Sequence, residues 1–367
     1  MQVNRSQQSL EIVSLDYSAL NETIHFAQIL QLAKADMKKS PFFIFGALFL
    51  TLSMLGMLSA ISILIAMNSS NNVGDSIAII GFFVLIFAGS LALVRSYFRN
   101  LSQSYRMSKF ANTNSIYYTR NRTEPSYSGL IFNEGHTRSI SNAYGLSSLH
   151  NTEIGNYSYT TGSGKNRSVH AYGYIMFDLP RNLPHMVLDA KSNNFISILS
   201  NLPATFDHSQ VLSLEGDFNN YFTLYAPKEY ERDALYIFTP DVMQSVIANA
   251  KMYDIELVDN KVYLYNKASF DLTNEGEIKN AIKLVSVLVK QFYKQTVYYA
   301  DNSVGDQAMN TVAPQGKRLS KTRLKTVFSI IMIIAVLYIW LNIGDVPWIM
   351  PIFIAIYIFI NYYRKTF

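Results

Sequence analysis

The sequence predicts an α+β cytoplasmic domain of antiparallel β-hairpins packed with helices, flanked by two transmembrane helical hairpins that make four transmembrane helices in total. Three observations lead to this fold class. Only 16% of the 367 residues are charged, whereas soluble proteins average about 25%. Long apolar stretches lie towards both ends of the chain. Between them, apolar residues first alternate, as in strands, and later recur at spacings of three and four, as in amphipathic helices.

The four apolar stretches contain no Asp, Glu, Lys, Arg or His, and a membrane-spanning helix needs about 17–25 apolar residues. They cover 41–67, 76–94, 326–343 and 346–363, the last one interrupted by Pro351. The predicted organisation is based on them: a cytoplasmic amphipathic segment at 1–40, transmembrane hairpins at 41–95 and 326–363, an α+β domain at 96–300, and a flexible basic tether at 301–325.

Lysine and arginine lie on one side of the apolar stretches. Basic residues precede the first stretch, follow the second, precede the third and follow the fourth, whereas "NSSNNVGD" and "NIGDVP" between the paired stretches have none. Positively charged short loops stay in the cytoplasm. Both termini and the central domain are therefore predicted to be cytoplasmic, in a multi-pass protein of the cell membrane.

Charge and cysteine content limit the partners. The central region 110–300 carries slightly more acidic than basic residues, so the net charge of +5 comes from the membrane-flanking segments. A nucleic-acid-binding domain is expected to be basic itself, so no nucleic-acid partner is predicted. The chain has no cysteine, which excludes disulfides and cysteine metal sites.

The stretch "TTGSGKNRS" at 160–168 has the glycines and lysine of a phosphate-binding loop, but it lacks the rest of that motif. The motif G-x-x-x-x-G-K-[ST] requires a glycine where Tyr159 stands and a hydroxyl residue where Asn166 stands. The next residues form the alternating run "SVHAYGYIMFDLP", which is typical of a strand rather than a helix. The stretch is therefore predicted to be a β-hairpin turn with Lys165 and Arg167 at its tip. Solvated charges are the preferred interpretation of these two residues, and an acidic partner or a lipid headgroup is their candidate contact.

Local patterns predict further elements. Residues 101–117 are predicted to continue the second apolar helix. "VLSLEGD" and "YFTLYAP" are predicted to form a strand pair, and "DIELVDNKVYLYNK" a hairpin that turns at Asp259–Asn260. Residues 275–297 place apolar side chains on one stripe and lysines elsewhere, which predicts an amphipathic helix packed on the sheet.

No pattern of catalytic or metal-binding residues is recognisable in the sequence. The six histidines show no i,i+4 pairing, and no metal or cofactor is predicted. Two acidic groups are candidates for acid–base chemistry: Glu229, Glu231 and Asp233 at a helix start, and the pair Glu215 and Asp217. Nothing nearby in the sequence completes a site around either group, so a structural role is preferred for both.

Two longer passages, "GNYSYTTGSGK…GYIMFDLPRNLPHMVLDAK" and "LSLEGDFNNYFTLYAPKEYERDALYIFTPDVM", carry a family resemblance. Over about residues 105–270 the chain resembles a group of uncharacterised bacterial integral membrane proteins that have a cytoplasmic domain of unknown function. The resemblance implies a bacterial source and one domain over 105–300. The predicted location of the protein is the cell inner membrane. It implies no activity and no site residues.

The leading functional prediction is a non-enzymatic, membrane-anchored interaction or assembly module, with the lipid bilayer and other membrane or cytoplasmic proteins as partners. The alternatives are an enzyme whose site is assembled from scattered residues such as His170, Asp178 and His185, and a transporter component. Anionic headgroups are the predicted contact of a basic cluster: Lys317, Arg318, Lys321, Arg323 and Lys325.

Overall fold

The computed structural model describes residues 14–37, 42–66, 73–194, 200, 202–204, 206–306 and 309–321. These residues form seven α-helices and seven strands, with three helices before the first strand. The helices are α1 (Phe26–Met37), α2 (Phe42–Ala66), α3 (Val73–Thr113), α4 (Phe218–Tyr221), α5 (Glu231–Ile237), α6 (Pro240–Ala250) and α7 (Glu275–Thr296). The strands are β1 (Tyr117–Thr123), β2 (His136–Leu146), β3 (Thr152–Thr161), β4 (Ser168–Ala190), β5 (Val211–Leu212), β6 (Phe222–Tyr225) and β7 (Asp254–Asn266).

The strands form one antiparallel sheet in the order β1-β2-β3-β4-β6-β5, with β7 along the other side of β4. Strand β4 is the centre of the sheet because it pairs with β3, β6 and β7. The predicted hairpin at "TTGSGKNRS" is confirmed. Thr161 pairs with Ser168 at its base, and Gly162 and Gly164 adopt the left-handed backbone conformation that the turn requires.

The predicted hairpin at Asp259–Asn260 is wrong. Residues Asp254–Asn266 form one strand, β7, which pairs with β4 along its length. The irregularity at Asp259, which has a φ of +54°, lies opposite a register shift in β4 between Asp178 and Leu183. That interval of β4 contains Pro180, which cannot donate to the ladder. The local turn signal therefore marks a bulge rather than a chain reversal.

The two faces of the sheet bury different side chains. Ile175 and Phe177 belong to the core under the helices, whereas Tyr172, Tyr174 and Met176 belong to a second core on the opposite face. This alternation is the one predicted from the sequence of β4. The second core is rich in tyrosine and is covered by Leu130–Asn133, by the segment around Phe206 and by Leu319.

Helix α3 joins the apolar part of the chain to the sheet domain without a break. Its residues Gly81–Thr113 form a helix that is long and apolar enough to cross a membrane, by length and composition. Its last turns carry Met107, Phe110 and Ala111 into the helix-covered core. The predicted helical continuation of the second apolar stretch into the domain is thus confirmed up to Thr113.

The prediction of four transmembrane helices, and of a multi-pass topology, is not supported and is corrected to one candidate helix among the described residues. Within α2, a shorter apolar helix is found over Leu48–Ile63. The third and fourth predicted helices, 326–343 and 346–363, lie outside the described residues.

Helix α2 packs on α3 through small residues. A Cβ atom added to Gly56 would lie 2.3 Å from the Phe83 ring, so only glycine allows this approach. Ser53 and Ser90, both buried, face each other with their hydroxyl oxygens 3.5 Å apart. The outward sides of both helices expose large apolar residues such as Leu52 and Leu85.

Candidate binding groove and C-terminal strap

A groove of about 450 Å³ lies between α4 and α6. It is lined by Glu215, Asp217, Phe218, Pro240, Met243, Gln244, Ile247 and Ala248. Helix α6 buries Val242 and Val246 in the core and leaves Met243 and Ile247 half-buried beside the groove. The floor is therefore apolar.

The two rim carboxylates of the groove are Glu215 and Asp217, both exposed. They flank Gly216, whose φ of +74° makes the turn between β5 and α4 possible. In the sequence these residues form a pair without a completed site. The structure places them beside an apolar floor, which suits an apolar side chain flanked by lysine or arginine. Sequence reasoning missed α6 as the other wall because it is distant in the chain.

The segment 309–321, here called the strap, crosses the second face of the sheet and is held by side chains of the domain. Gln210 accepts a hydrogen bond from Ser320 N (2.9 Å) and donates one to Ser320 O (2.8 Å). Leu319 N donates to His185 Nδ1 (3.0 Å), and Ala313 N donates to Asp301 (2.8 Å). These side chains satisfy backbone groups of the strap, in addition to the backbone hydrogen bond from Asp207 N to Ser320 O (3.1 Å).

This packing differs from the flexible tether predicted at 301–325. Within the described residues of that segment, Val312, Ala313 and Leu319 are buried. Asp301 is buried as well and also accepts a hydrogen bond from Tyr230 OH (2.7 Å). The segment has few large apolar residues, but those few pack on the domain. Its low hydrophobicity was therefore a poor guide to its structure.

Two residues of the basic cluster form ion pairs with the sheet domain. Arg318 pairs with Asp259 (3.2 Å) and Lys321 pairs with Glu134 (3.1 Å), while Lys317 is exposed. Arg323 and Lys325 lie outside the described residues. The paired side chains are half-exposed, and such pairs contribute only about 0–1 kcal/mol each. Contact of this cluster with anionic lipid stays a prediction.

A buried polar network anchors the strap to the centre of the sheet. Glu256 is fully buried and accepts hydrogen bonds from Leu130 N (2.7 Å), from Tyr265 OH (2.5 Å) and from His185 Nε2 (2.8 Å). Because Leu319 N donates to Nδ1 of His185, that nitrogen is the acceptor and Nε2 carries the proton. These partners assign the tautomer of a neutral imidazole.

The three residues offered as a scattered enzyme site do not converge. His170, Asp178 and His185 all lie on β4, and at about 3.3 Å per residue neighbouring members are about 20 Å or more apart. His170 bonds to Thr161 Oγ1 (2.8 Å) and stacks on Tyr159. Asp178 pairs with Lys261. Each of the three has its own structural partners. The prediction that they assemble into one enzyme site is therefore wrong.

One of the three acidic residues at the start of α5, Asp233, binds Tyr299 in the segment that follows α7. Asp233 accepts a hydrogen bond from Tyr299 OH (2.8 Å), and burial raises the pKa of Asp233 above its ordinary value. Glu229 and Glu231 are exposed. Among the described residues, no group of three or more His, Cys, Asp or Glu side chains is arranged to hold a metal ion.

The hairpin tip places Lys165 and Arg167 in solvent, where both are exposed. Their contact with an acidic partner stays a prediction. The turn itself depends on Gly162, because an added Cβ would lie 2.3 Å from the carbonyl oxygen of Asn166.

We expect Gly162→Ala to destabilise the protein by more than the cost of about 1–2 kcal/mol that a left-handed conformation imposes on alanine. Gly164→Ala is the matched control, since Gly164 also has a positive φ but has nothing within 4 Å of its added Cβ. Urea unfolding of the full chain in detergent, followed by circular dichroism, measures both variants. Equal losses of stability in the two variants would contradict this steric account.

Asp189 is a buried carboxyl group next to the strap-covered face. Burial raises its pKa from 3.8 to about 6, while hydrogen bonds from Ser200 and Asn194 act in the opposite direction. The folded state therefore holds this proton more tightly than the unfolded chain. Its contribution to stability is complete below about pH 4 and is lost as the pH rises to about 6, a difference of about 3 kcal/mol.

We accordingly expect Asp189→Asn to stabilise the protein at pH 7.5 by about 1–3 kcal/mol and to flatten the dependence of its unfolding free energy on pH between 4 and 7. The exposed Asp241→Asn on α6 is the control and is expected to change little. Urea unfolding at several pH values provides the measurement. A variant as pH-dependent as the wild type would show that another group titrates.

No protein-family model matches the chain, and no curated protein matches it. Among solved structures, the chain is similar to the crystal structure of the mycobacterial trehalose monomycolate transport factor A, TtfA, with 8% sequence identity and a TM-score of 0.35. The match covers 52% of this chain and 95% of that chain. A likeness at this level supports no inference about fold or function, and the resemblance to the bacterial membrane family stays a prediction.

Proposed function

We propose that this chain is a membrane-anchored, non-enzymatic interaction module. In this proposal α3 attaches it to the bacterial inner membrane, and the sheet domain, on the cytoplasmic side, binds a partner protein through the groove between α4 and α6. The partner contributes an apolar side chain flanked by lysine or arginine.

The main support for this proposal is that α3 runs as one unbroken helix from its apolar part into the core of the sheet domain. Its 41 residues make a helix about 61 Å long at 1.5 Å per residue, about twice the thickness of the hydrocarbon core of a bilayer. Its apolar part exposes Phe82 and Leu85, and its other end is buried in the domain. A helix of this kind holds a folded domain at a fixed distance from the membrane, as a rigid platform for a partner.

The cytoplasmic location is supported by charge. Arg95, Arg99 and Arg106 follow the apolar part of α3, and the segment before the helix has no basic residue. Because the chain lacks cysteine, a single Ser163→Cys at the exposed hairpin tip reports the side of the domain. It should react with an impermeant thiol reagent only after lysis of the cells. Labelling of Ser163→Cys in intact cells would place the domain outside.

The groove is tested by photocrosslinking in cells. A photoreactive amino acid at Gln244, on the groove wall, should give an adduct of defined mass with a protein that presents a basic and apolar segment. Glu215→Lys with Asp217→Lys should abolish this adduct. The same probe at Lys283, exposed on α7, is the control. Identical adducts at both positions, or an adduct that survives the charge reversal, would refute the groove as the contact.

Anionic headgroups are a second proposed contact, through the basic cluster. In this proposal they compete with Asp259 and Glu134 for Arg318 and Lys321, with each basic residue near the membrane contributing about 1 kcal/mol. A peptide of residues 311–326 should bind anionic vesicles and dissociate as salt increases. The control peptide carries glutamine in place of its five basic residues, Lys317, Arg318, Lys321, Arg323 and Lys325. Equal binding of the two peptides would exclude the lipid contact.

A further inference from the structure

The strap is attached to the sheet through an imidazole nitrogen that can also bind a proton. His185 is only 3% exposed, and Nδ1 accepts the backbone N–H of Leu319 at 3.0 Å. The strap-bound state therefore requires an unprotonated Nδ1. Leu319 itself is buried in the second core, so this contact lies where the strap packs on the sheet.

The groups around His185 can also stabilise its protonated, positively charged ring. From β7, Glu256 accepts the Nε2 hydrogen bond, and Tyr265 OH and Leu130 N bond to the same carboxylate. The Phe206 ring stands edge-on, with ring centroids 6.4 Å apart. On the strap, the nearest charged groups in sequence are Arg318, paired with Asp259, and Lys321, paired with Glu134. Glu256 is thus the group that would stabilise an imidazolium at this position.

We propose that the strap is a proton-sensitive cover of the tyrosine-rich face, with His185 as the sensor. Protonation converts Nδ1 from an acceptor into a donor that points at another donor, Leu319 N–H, while Glu256 holds the charged ring in place. Proton binding and strap binding are therefore mutually exclusive at one nitrogen. Acidification releases the strap from His185 and uncovers the face beneath Leu319.

Linkage sets the direction and size of the effect. The strap is closed at higher pH and opens as the pH falls, because the open state binds the extra proton. One proton makes the ratio of open to closed strap change by up to tenfold per pH unit.

The test is hydrogen–deuterium exchange of the full chain in detergent, with peptides that cover 317–321 and, as reference, β3. After correction for intrinsic exchange rates, protection of 317–321 should fall at least tenfold between pH 7.5 and 5.5 relative to β3. His185→Gln, which keeps an acceptor and a donor but does not titrate, should remove this pH dependence. His170→Gln, also on β4 but bonded to Thr161, is the matched control and should behave like the wild type.

A second measurement keeps the proposal testable if His185→Gln does not fold. In wild-type protein labelled with ¹⁵N-histidine, the Nδ1 signal of His185 should titrate with the same midpoint as the loss of protection at 317–321. Protection of the strap that does not change with pH, a pH dependence that persists in His185→Gln, or two different midpoints would each overturn the proposal.

Discussion

Replacing Phe110 by alanine is expected to lower the free energy of unfolding of the sheet domain by about 3–5 kcal/mol, the usual cost of emptying a fully buried phenylalanine site. Phe110 is on the last turns of α3 and has no exposed surface. Its ring stacks on Tyr17 (5.4 Å between centroids) and meets the edge of Tyr144 (5.2 Å). The side chain thus ties the anchor helix to both the N-terminal segment and β2.

The matched control is Phe82→Ala on the same helix. Phe82 is 60% exposed in the apolar part of α3, where the proposed environment is lipid rather than the domain core. Denaturant unfolding of the full chain in detergent, followed by circular dichroism of the sheet, should show a large loss for Phe110→Ala and almost none for Phe82→Ala. Similar losses for the two variants would mean that α3 does not couple to the sheet through Phe110.

Local signals predicted those parts of the fold that depend on near neighbours in the chain. The hairpin between β3 and β4 has its glycines at the positions of positive φ, and both strands alternate clearly. The stripe of apolar residues at 275–297 corresponds to α7, Glu275–Thr296, whose N-terminus is capped by Asn274. In each case the pattern that predicts the element also determines which face is buried.

Features that depend on distant residues could not be predicted. The signal at Asp259–Asn260 resembles a turn, but β4 supplies a pairing partner on either side of it, more than 60 residues earlier in the chain. The strap has no hydrophobic pattern that would predict its packing. It is held instead by hydrogen bonds from its backbone to side chains such as Gln210 and His185. The carboxylates Glu215 and Asp217 are recognisable as a pair in the sequence, yet only the fold brings α6 beside them.

The number of membrane spans shows a different limit. Apolar composition identifies a stretch that water disfavours, but it does not tell a spanning helix from one that packs on another apolar helix. Gly56 and Phe83 show that α2 is shaped to fit α3. A sequence criterion counts both helices alike, and the packing of α2 on α3 is visible only in the structure.

Replacing Glu256 by alanine is expected to be the other strongly destabilising change, with a loss of about 3–5 kcal/mol. The substitution leaves Leu130 N, Tyr265 OH and His185 Nε2 without their acceptor in a region closed to water. Each unsatisfied buried group costs about 1–3 kcal/mol. Relaxation of the segment around Leu130 and of the strap reduces this loss of unfolding free energy. The expected total is therefore smaller than the cost of three fully unsatisfied groups.

Two further variants distinguish the loss of the hydrogen bonds of Glu256 from the loss of its charge. Glu256→Gln keeps one acceptor oxygen but presents an amide donor to the remaining partners, so we expect a loss smaller than that of Glu256→Ala. Glu229→Ala, at an exposed carboxylate, should stay within about 0.5 kcal/mol of the wild type. The measurement is urea unfolding at pH 7.5. If Glu256→Ala were as mild as Glu229→Ala, water would have to reach these three donors, and His185 would not be the closed, buried acceptor that holds the strap.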